Sequence, residues 1–179
     1  MQSFFKDIQI LPIHEHVILQ SEDVVFSDEV RFLCEKNGCG LFGTSWACPP
    51  AIGSVADCKK RCLEYKYAFI FTTVNDLKGQ YDMEGWRYAR KKHEQVTDSV
   101  VSAFRRYGED FLALSTEGCA MCKKCTYPNA PCKHPDRMYP ATEGYGILVL
   151  EQARKNNMRY NNGKNTVTYF SMIFFNSGE

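Results

Sequence analysis

The chain has 179 residues, 44 % of them hydrophobic and 24 % charged, which is the balance of a folded globular protein and excludes a disordered tail or a fibre. Its 22 basic and 21 acidic side chains leave a formal net charge of +1, so nothing pulls it generally toward nucleic acid or anionic lipid. No run of about 18 apolar residues is present, so no membrane span is expected.

In chain order, Ile8 to Gln20 is apolar around Pro12, His14 and His16 and predicts a strand. Ser27 to Phe32 predicts a short helix. Cys34 to Gly53 reads as a loop, because Gly38, Gly40, Gly43, Pro49, Pro50 and Gly53 break any regular element. Ser54-Val-Ala-Asp57 has the form of a capping box with Asp in place of Glu, and Val55, Cys58, Cys62 and Tyr65 follow as one helical stripe. Tyr67 to Val74 is an almost unbroken apolar and β-branched run, the pattern of a strand covered on both faces.

Glu84 to Tyr107 predicts a long helix, with Trp86, Ala89, His93, Val96, Val100, Ala103 and Tyr107 on one face and Gly108 as its stop. Phe111 to Leu114 predicts a short strand and Glu117 to Pro140 a second cysteine-rich loop. Glu143 to Asn157 predicts a helix, weakened in its first turn by Gly144 and Gly146. Thr166 to Phe175 predicts the last strand. The order is strand, helix, strand, helix, strand, helix, strand. It predicts an α/β (or α+β) fold in which a four-stranded mixed or mostly parallel sheet carries three main helices and two cysteine-rich loops, all in one domain over residues 1–179.

The nine cysteines are odd in number, so they cannot all pair within one chain. The N-terminal stretch Met1 to Asp7 does not carry the roughly 7–15-residue apolar core of a secretory signal, which predicts a cytoplasmic, reducing location. There, cysteine richness points to metal binding rather than cross-linking.

Cys119-x2-Cys122-x2-Cys125, followed by Cys132, has the opening of a bacterial ferredoxin run. Three thiolates at even gaps suit one face of a cubane, whereas zinc knuckles more often come as two separated C-x2-C pairs. The spacing therefore favours a [4Fe–4S] cluster over zinc. Lys123, Lys124, Lys133 and Arg137 surround these cysteines. A positive shell raises a cluster's potential and suits an acidic redox partner protein; a plain solvated loop face is the simpler alternative.

Cys34-x4-Cys39-x8-Cys48 supplies three more thiols in a glycine-rich loop, with Trp46 placed to shield a centre from water. Three readings stay open: a second iron–sulfur centre with a non-cysteine or open fourth position; a fourth ligand from His14, His16, His134, Cys58 or Cys62; or a structural zinc. The second iron–sulfur centre is favoured. The spacing does not match the C-x3-C-x2-C of radical enzymes that use S-adenosylmethionine.

Cys34-x4-Cys39, Gly43, Trp46-Ala-Cys48-Pro-Pro50, Gly118-Cys119-x2-Cys122-x2-Cys125-x6-Cys132-x2-Pro135, Pro140, Glu143 and Gly146 together resemble a bacterial and archaeal family of predicted metal-binding proteins, domain of unknown function 2284. The resemblance runs from about Cys34 to the Thr166–Phe175 strand. It departs mildly at Phe42, where Tyr is usual, at Lys133-His134, where Arg leads to the Pro, and at Ala141, where Ser is common. It implies metal binding by Cys34, Cys39, Cys48, Cys119, Cys122, Cys125 and Cys132 as iron–sulfur ligands, and carries no reaction with it.

Other residues read as structural. Cys58 and Cys62 fall on a helix's apolar face and His93 on the long helix's stripe, which predicts core positions. His14 and His16 share a strand face and are expected to be exposed. Glu143 is explained by the favourable charge of a helix's first turn. No Ser-His-Asp order and no phosphate-cradling Gly loop is present, so no catalytic residue is assigned. The sequence thus predicts an iron–sulfur protein acting in electron transfer or as a redox accessory. The alternatives are an enzyme whose open-coordinated centre acts on a small substrate, and a zinc-stapled interaction module.

Overall fold

The computed structural model describes residues 7–106 and 110–176. Tyr107 and Gly108, the expected end and stop of the long helix, lie outside the described residues. In chain order the elements are β1 (His16–Gln20), α1 (Asp28–Glu35), α2 (Val55–Leu63), β2 (Tyr67–Asp76), α3 (Met83–Arg106), β3 (Phe111–Leu114), α4 (Val149–Lys155) and β4 (Thr166–Phe175). Single 3-10 turns sit at Ser21–Asp23, Pro135–Arg137 and Glu143–Tyr145.

The four strands form one sheet in the order β1-β2-β4-β3, and every neighbouring pair is antiparallel. The expected mixed or mostly parallel sheet is therefore corrected. β2 and β3 do run in the same direction, joined across α3 as a crossover helix predicts. However, β4 is inserted between them and pairs with both, from Tyr67↔Phe175 to Asp76↔Thr166 on one side and from Phe111↔Phe175 to Leu114↔Met172 on the other. This is a split β-α-β arrangement. The apolar runs of β2 and β4 do mean burial on both faces, as their sequences imply.

One face packs Phe69, Phe71, Ala113, Ile173 and Phe175 against Val96, Val100, Val101 and Phe104 of α3. The opposite face packs Ile70, Leu114, Met172 and Phe174 against Cys58 and Cys62 of α2, Tyr145, Ile147 and Val149. Burying a Phe or Met side chain in this way contributes about 1.5–3 kcal/mol.

Ser54 caps α2 as its sequence predicts: its hydroxyl accepts from the Asp57 amide at 3.1 Å, and the Asp57 carboxylate accepts from the Ser54 amide at 3.2 Å. Two expected elements are shorter. The strand over Ile8 to Gln20 is regular only from His16, because Pro12 cannot join a ladder and both His14 and Glu15 stand opposite Thr72, as in a bulge (His14 amide to Thr72 carbonyl 2.8 Å, Thr72 amide to Glu15 carbonyl 2.9 Å). The helix over Glu143 to Asn157 is broken into the 3-10 turn and α4. Gly146 turns the chain with φ +80°, where a Cβ would also meet Val55 at 2.7 Å. Conversely, α1 runs on to Glu35, so Cys34 sits in a helix's last turn rather than in a loop. No described helix is long and apolar enough to cross a membrane.

Candidate metal centre

The two cysteine-bearing segments meet beyond the end of β3. Ser115 bridges to Ala141, with the Ser115 amide donating to the Pro140 carbonyl at 2.9 Å. The Ala141 amide donates to the Ala47 carbonyl at 3.0 Å. Trp46 reaches across from the first segment: its indole N–H donates to the Ala130 carbonyl at 3.1 Å, and its ring meets Tyr127 edge-on at 5.0 Å. Gly118 closes the junction. A Cβ there would lie 2.9 Å from the Cys48 sulfur and 3.1 Å from Leu41.

Two cavities open at this junction and share Leu41 as a wall. Cys119, Cys122, Cys125 and Cys132 line one of about 270 Å³, together with Trp46, Met121, Met138, Lys123, Lys124, Lys133 and His134. Cys34, Cys39 and Cys48 line the other, of about 460 Å³, with Phe42, Pro49, Arg90, Glu117 and Glu143. The structure thus gathers the seven candidate cysteines into a set of four and a set of three. Cys48 stands between the sets, where the charges of Cys39 and Cys125 both act on it. Among the described residues, no three or more His, Cys, Asp or Glu side chains converge into a metal-binding group; the sulfurs line cavity walls.

The donor chemistry fits the group that the spacing implies. Four soft thiols and no acid line the smaller cavity, and its three lysines offset the negative charge of thiolates. Burial pushes the Cys34, Cys48 and Cys119 thiols up from their ordinary range, and neighbouring cysteines add to the rise at each. A bound cation reverses that balance, because a coordinating thiol is deprotonated outright.

Trp46 faces the four-cysteine cavity although it belongs to the segment that carries the other three. The fourth ligands proposed for the three-cysteine set do not line its cavity. His14 pairs with Asn162 at 3.0 Å, His16 leans on Phe69, and His134 lines the other cavity. Cys58 and Cys62 are fully buried in the core, as their helix-face spacing implies. His93 is equally buried, held between the Thr73 and Ser171 hydroxyls at 2.8 Å each, and desolvation pushes its pKa down to about 3.

Sequence reasoning missed three residues at this junction. Glu143, read from its residue type as an acid in a helix's first turn, opens the 3-10 turn Glu143–Tyr145 and also lines the three-cysteine cavity. Arg90, on α3, donates to the Gly118 carbonyl and pairs with Glu117 at 3.0 Å. Arg31, on the same helix as Cys34, donates to the Gly53 carbonyl at 2.7 Å and to the Gly144 carbonyl at 3.2 Å. It thereby ties α1 to the turn that carries Glu143. Arg31 precedes Cys34 by one helical turn, a sequence signal available in principle; nothing local marks the other two.

No curated protein and no solved structure matched this chain in searches of either kind. The family described as predicted metal-binding protein, domain of unknown function 2284, matches residues 17–175, which takes in β1 from its second residue, β4 and both cysteine sets, and the chain belongs to that family.

Proposed function

We propose that this chain is an iron–sulfur protein that serves electron transfer or a redox accessory role. Cys119, Cys122, Cys125 and Cys132 would hold a [4Fe–4S] cluster, and Cys34, Cys39 and Cys48 a second centre. The observation that carries the reading is the cavity lined by all four cysteines of the C-x2-C-x2-C-x6-C run and by no acid. A cluster supplies one-electron chemistry; the protein's part is to hold it, shield it with Trp46 and set its potential through Lys123, Lys124 and Lys133. The same lysines are exposed, which suits docking of an acidic redox partner.

Anaerobic purification with iron and acid-labile sulfide analysis tests the reading. About four of each per cluster supports it, and stoichiometric zinc without sulfide overturns it in favour of a zinc-stapled interaction module.

A second reading, an enzyme acting on a small molecule at the three-cysteine centre, is favoured by one observation. That cavity is the larger of the two, and its polar wall includes an acid and the Arg90–Glu117 pair. Spectral change at one centre only, on adding a substrate, would separate enzyme from carrier.

A further inference from the structure

We propose that Glu143 is the fourth ligand of the centre held by Cys34, Cys39 and Cys48. The inference rests on the reading that this set binds metal, and it assigns the position that the cysteines leave open.

The cavity wall carries three thiols, two carboxylates and one cation, Arg90. Arg90 is already committed: it pairs with Glu117 at 3.0 Å, and Glu117 also accepts from the Tyr169 hydroxyl at 3.3 Å. Glu143 has no such answer. Its carboxylate makes no ion pair among the described residues, and the backbone contact that favours its charged form comes from its own residue. The remaining wall is largely apolar, with Leu41, Phe42, Pro49 and Ala141. Three thiols and a carboxylate with no ion pair, set in the wall of one largely apolar cavity, are costly to charge without a cation, and a metal centre supplies it.

Placement supports the same role. Glu143 opens a 3-10 turn whose neighbours are fixed: the Thr142 hydroxyl donates to the Ser115 carbonyl at 2.7 Å, Gly144 is buried against Ile52 and Pro49, and Arg31 holds the Gly144 carbonyl. Arg31 also belongs to the helix that carries Cys34, so one side chain sets the spacing of two of the four donors. The carboxylate is close enough for its charge to act on Cys34, and of the two acids in this wall Glu117 has an ion pair while Glu143 makes none among the described residues. On its far side Glu143 borders an outer cleft with Glu117, Trp86 and Tyr160. A carboxylate ligand there is exchangeable, unlike a fourth thiolate.

The experiment uses the full chain, reconstituted anaerobically with iron and sulfide. Iron, sulfide and electron paramagnetic resonance spectra are compared for the wild type, Glu143→Gln and Glu143→Cys, with circular dichroism as the check on folding. Glu143→Gln is expected to lose the iron of one centre, about half of the total if both are four-iron clusters, and to leave the other centre's signal intact. Glu143→Cys is expected to restore the iron with an altered signal at that centre alone, which a merely structural role would not produce. Two centres in the wild type that are unchanged in count and spectrum in Glu143→Gln overturn the ligand assignment but not the iron–sulfur reading. A folded Glu143→Cys that fails to restore iron also overturns it. Wild-type protein with iron only at the Cys119 set overturns the second centre, and the assignment with it.

Discussion

The Cys48 sulfur packs directly on Gly118, at a distance that leaves no room for a Cβ: one built there would stand 2.9 Å from the sulfur. Gly118 immediately precedes Cys119, so this contact joins the two cysteine sets. Gly118→Ala is expected to push Cys48 or Leu41 aside, lower the iron content, and cost about 1–3 kcal/mol as an overpacked site. Iron analysis and thermal unfolding read the two effects. Full iron content at unchanged stability would mean that the junction is loose.

Cys58→Ala and Cys62→Ala are expected to keep full metal content, whereas Cys122→Ala loses a centre. Both helix thiols are fully buried among Ile70, Tyr145 and Met172, and burial pushes the Cys62 thiol far above its ordinary range. Losing the sulfur leaves only a small void, worth about 1 kcal/mol. In the folded apoprotein these two should also be the last to react with an alkylating reagent, and exposed Cys39 among the first. Loss of iron in either helix variant would bring that thiol back as a ligand.

His93 sets an acid limit on stability. Its folded pKa lies near 3, below the ordinary value of 6.5, because burial excludes the charged form. Between those values the unfolded chain binds a proton that the folded chain does not, so stability falls as pH drops below about 6.5 and is unaffected above it. From pH 7 to pH 5 the loss is about 2 kcal/mol. Denaturant unfolding of the wild type and His93→Gln at both pH values should show a smaller drop in the variant. Equal drops would place the acid sensitivity elsewhere.

The fold was legible where local chemistry decides it. The Ser54–Asp57 cap, the α3 stripe and the doubly buried β2 and β4 follow from residue type and spacing. What local chemistry cannot show is that β4, last in the chain, slides between β2 and β3; that is a long-range choice, and it turns a parallel expectation antiparallel. The site divides in the same way. Cysteine spacing pointed to the two cysteine sets that line the cavities, but Glu143 reads as an ordinary helix acid until the break at Gly146 leaves it on a short turn beside the three-cysteine cavity. Arg31 and Arg90 act through backbone carbonyls far along the chain, which no motif records.

Arg31 offers the sharpest separation of the two centres. It sits on α1 one turn before Cys34, and its guanidinium holds the carbonyls of Gly53 and Gly144, the latter next to Glu143. Arg31→Met keeps the stem and removes every donor, leaving partly buried carbonyls without partners at about 1–3 kcal/mol each. The α1 end and the 3-10 turn then lose their common brace. Iron at the Cys34 set is expected to fall, while the Cys119 set, lined by neither element, keeps its cluster and its signal. Arg31→Lys should restore this only in part, because a single ammonium does not reproduce the guanidinium's fixed fork. Unchanged iron in Arg31→Met, or equal loss from both centres, would show that Arg31 serves general stability and not the geometry of one site.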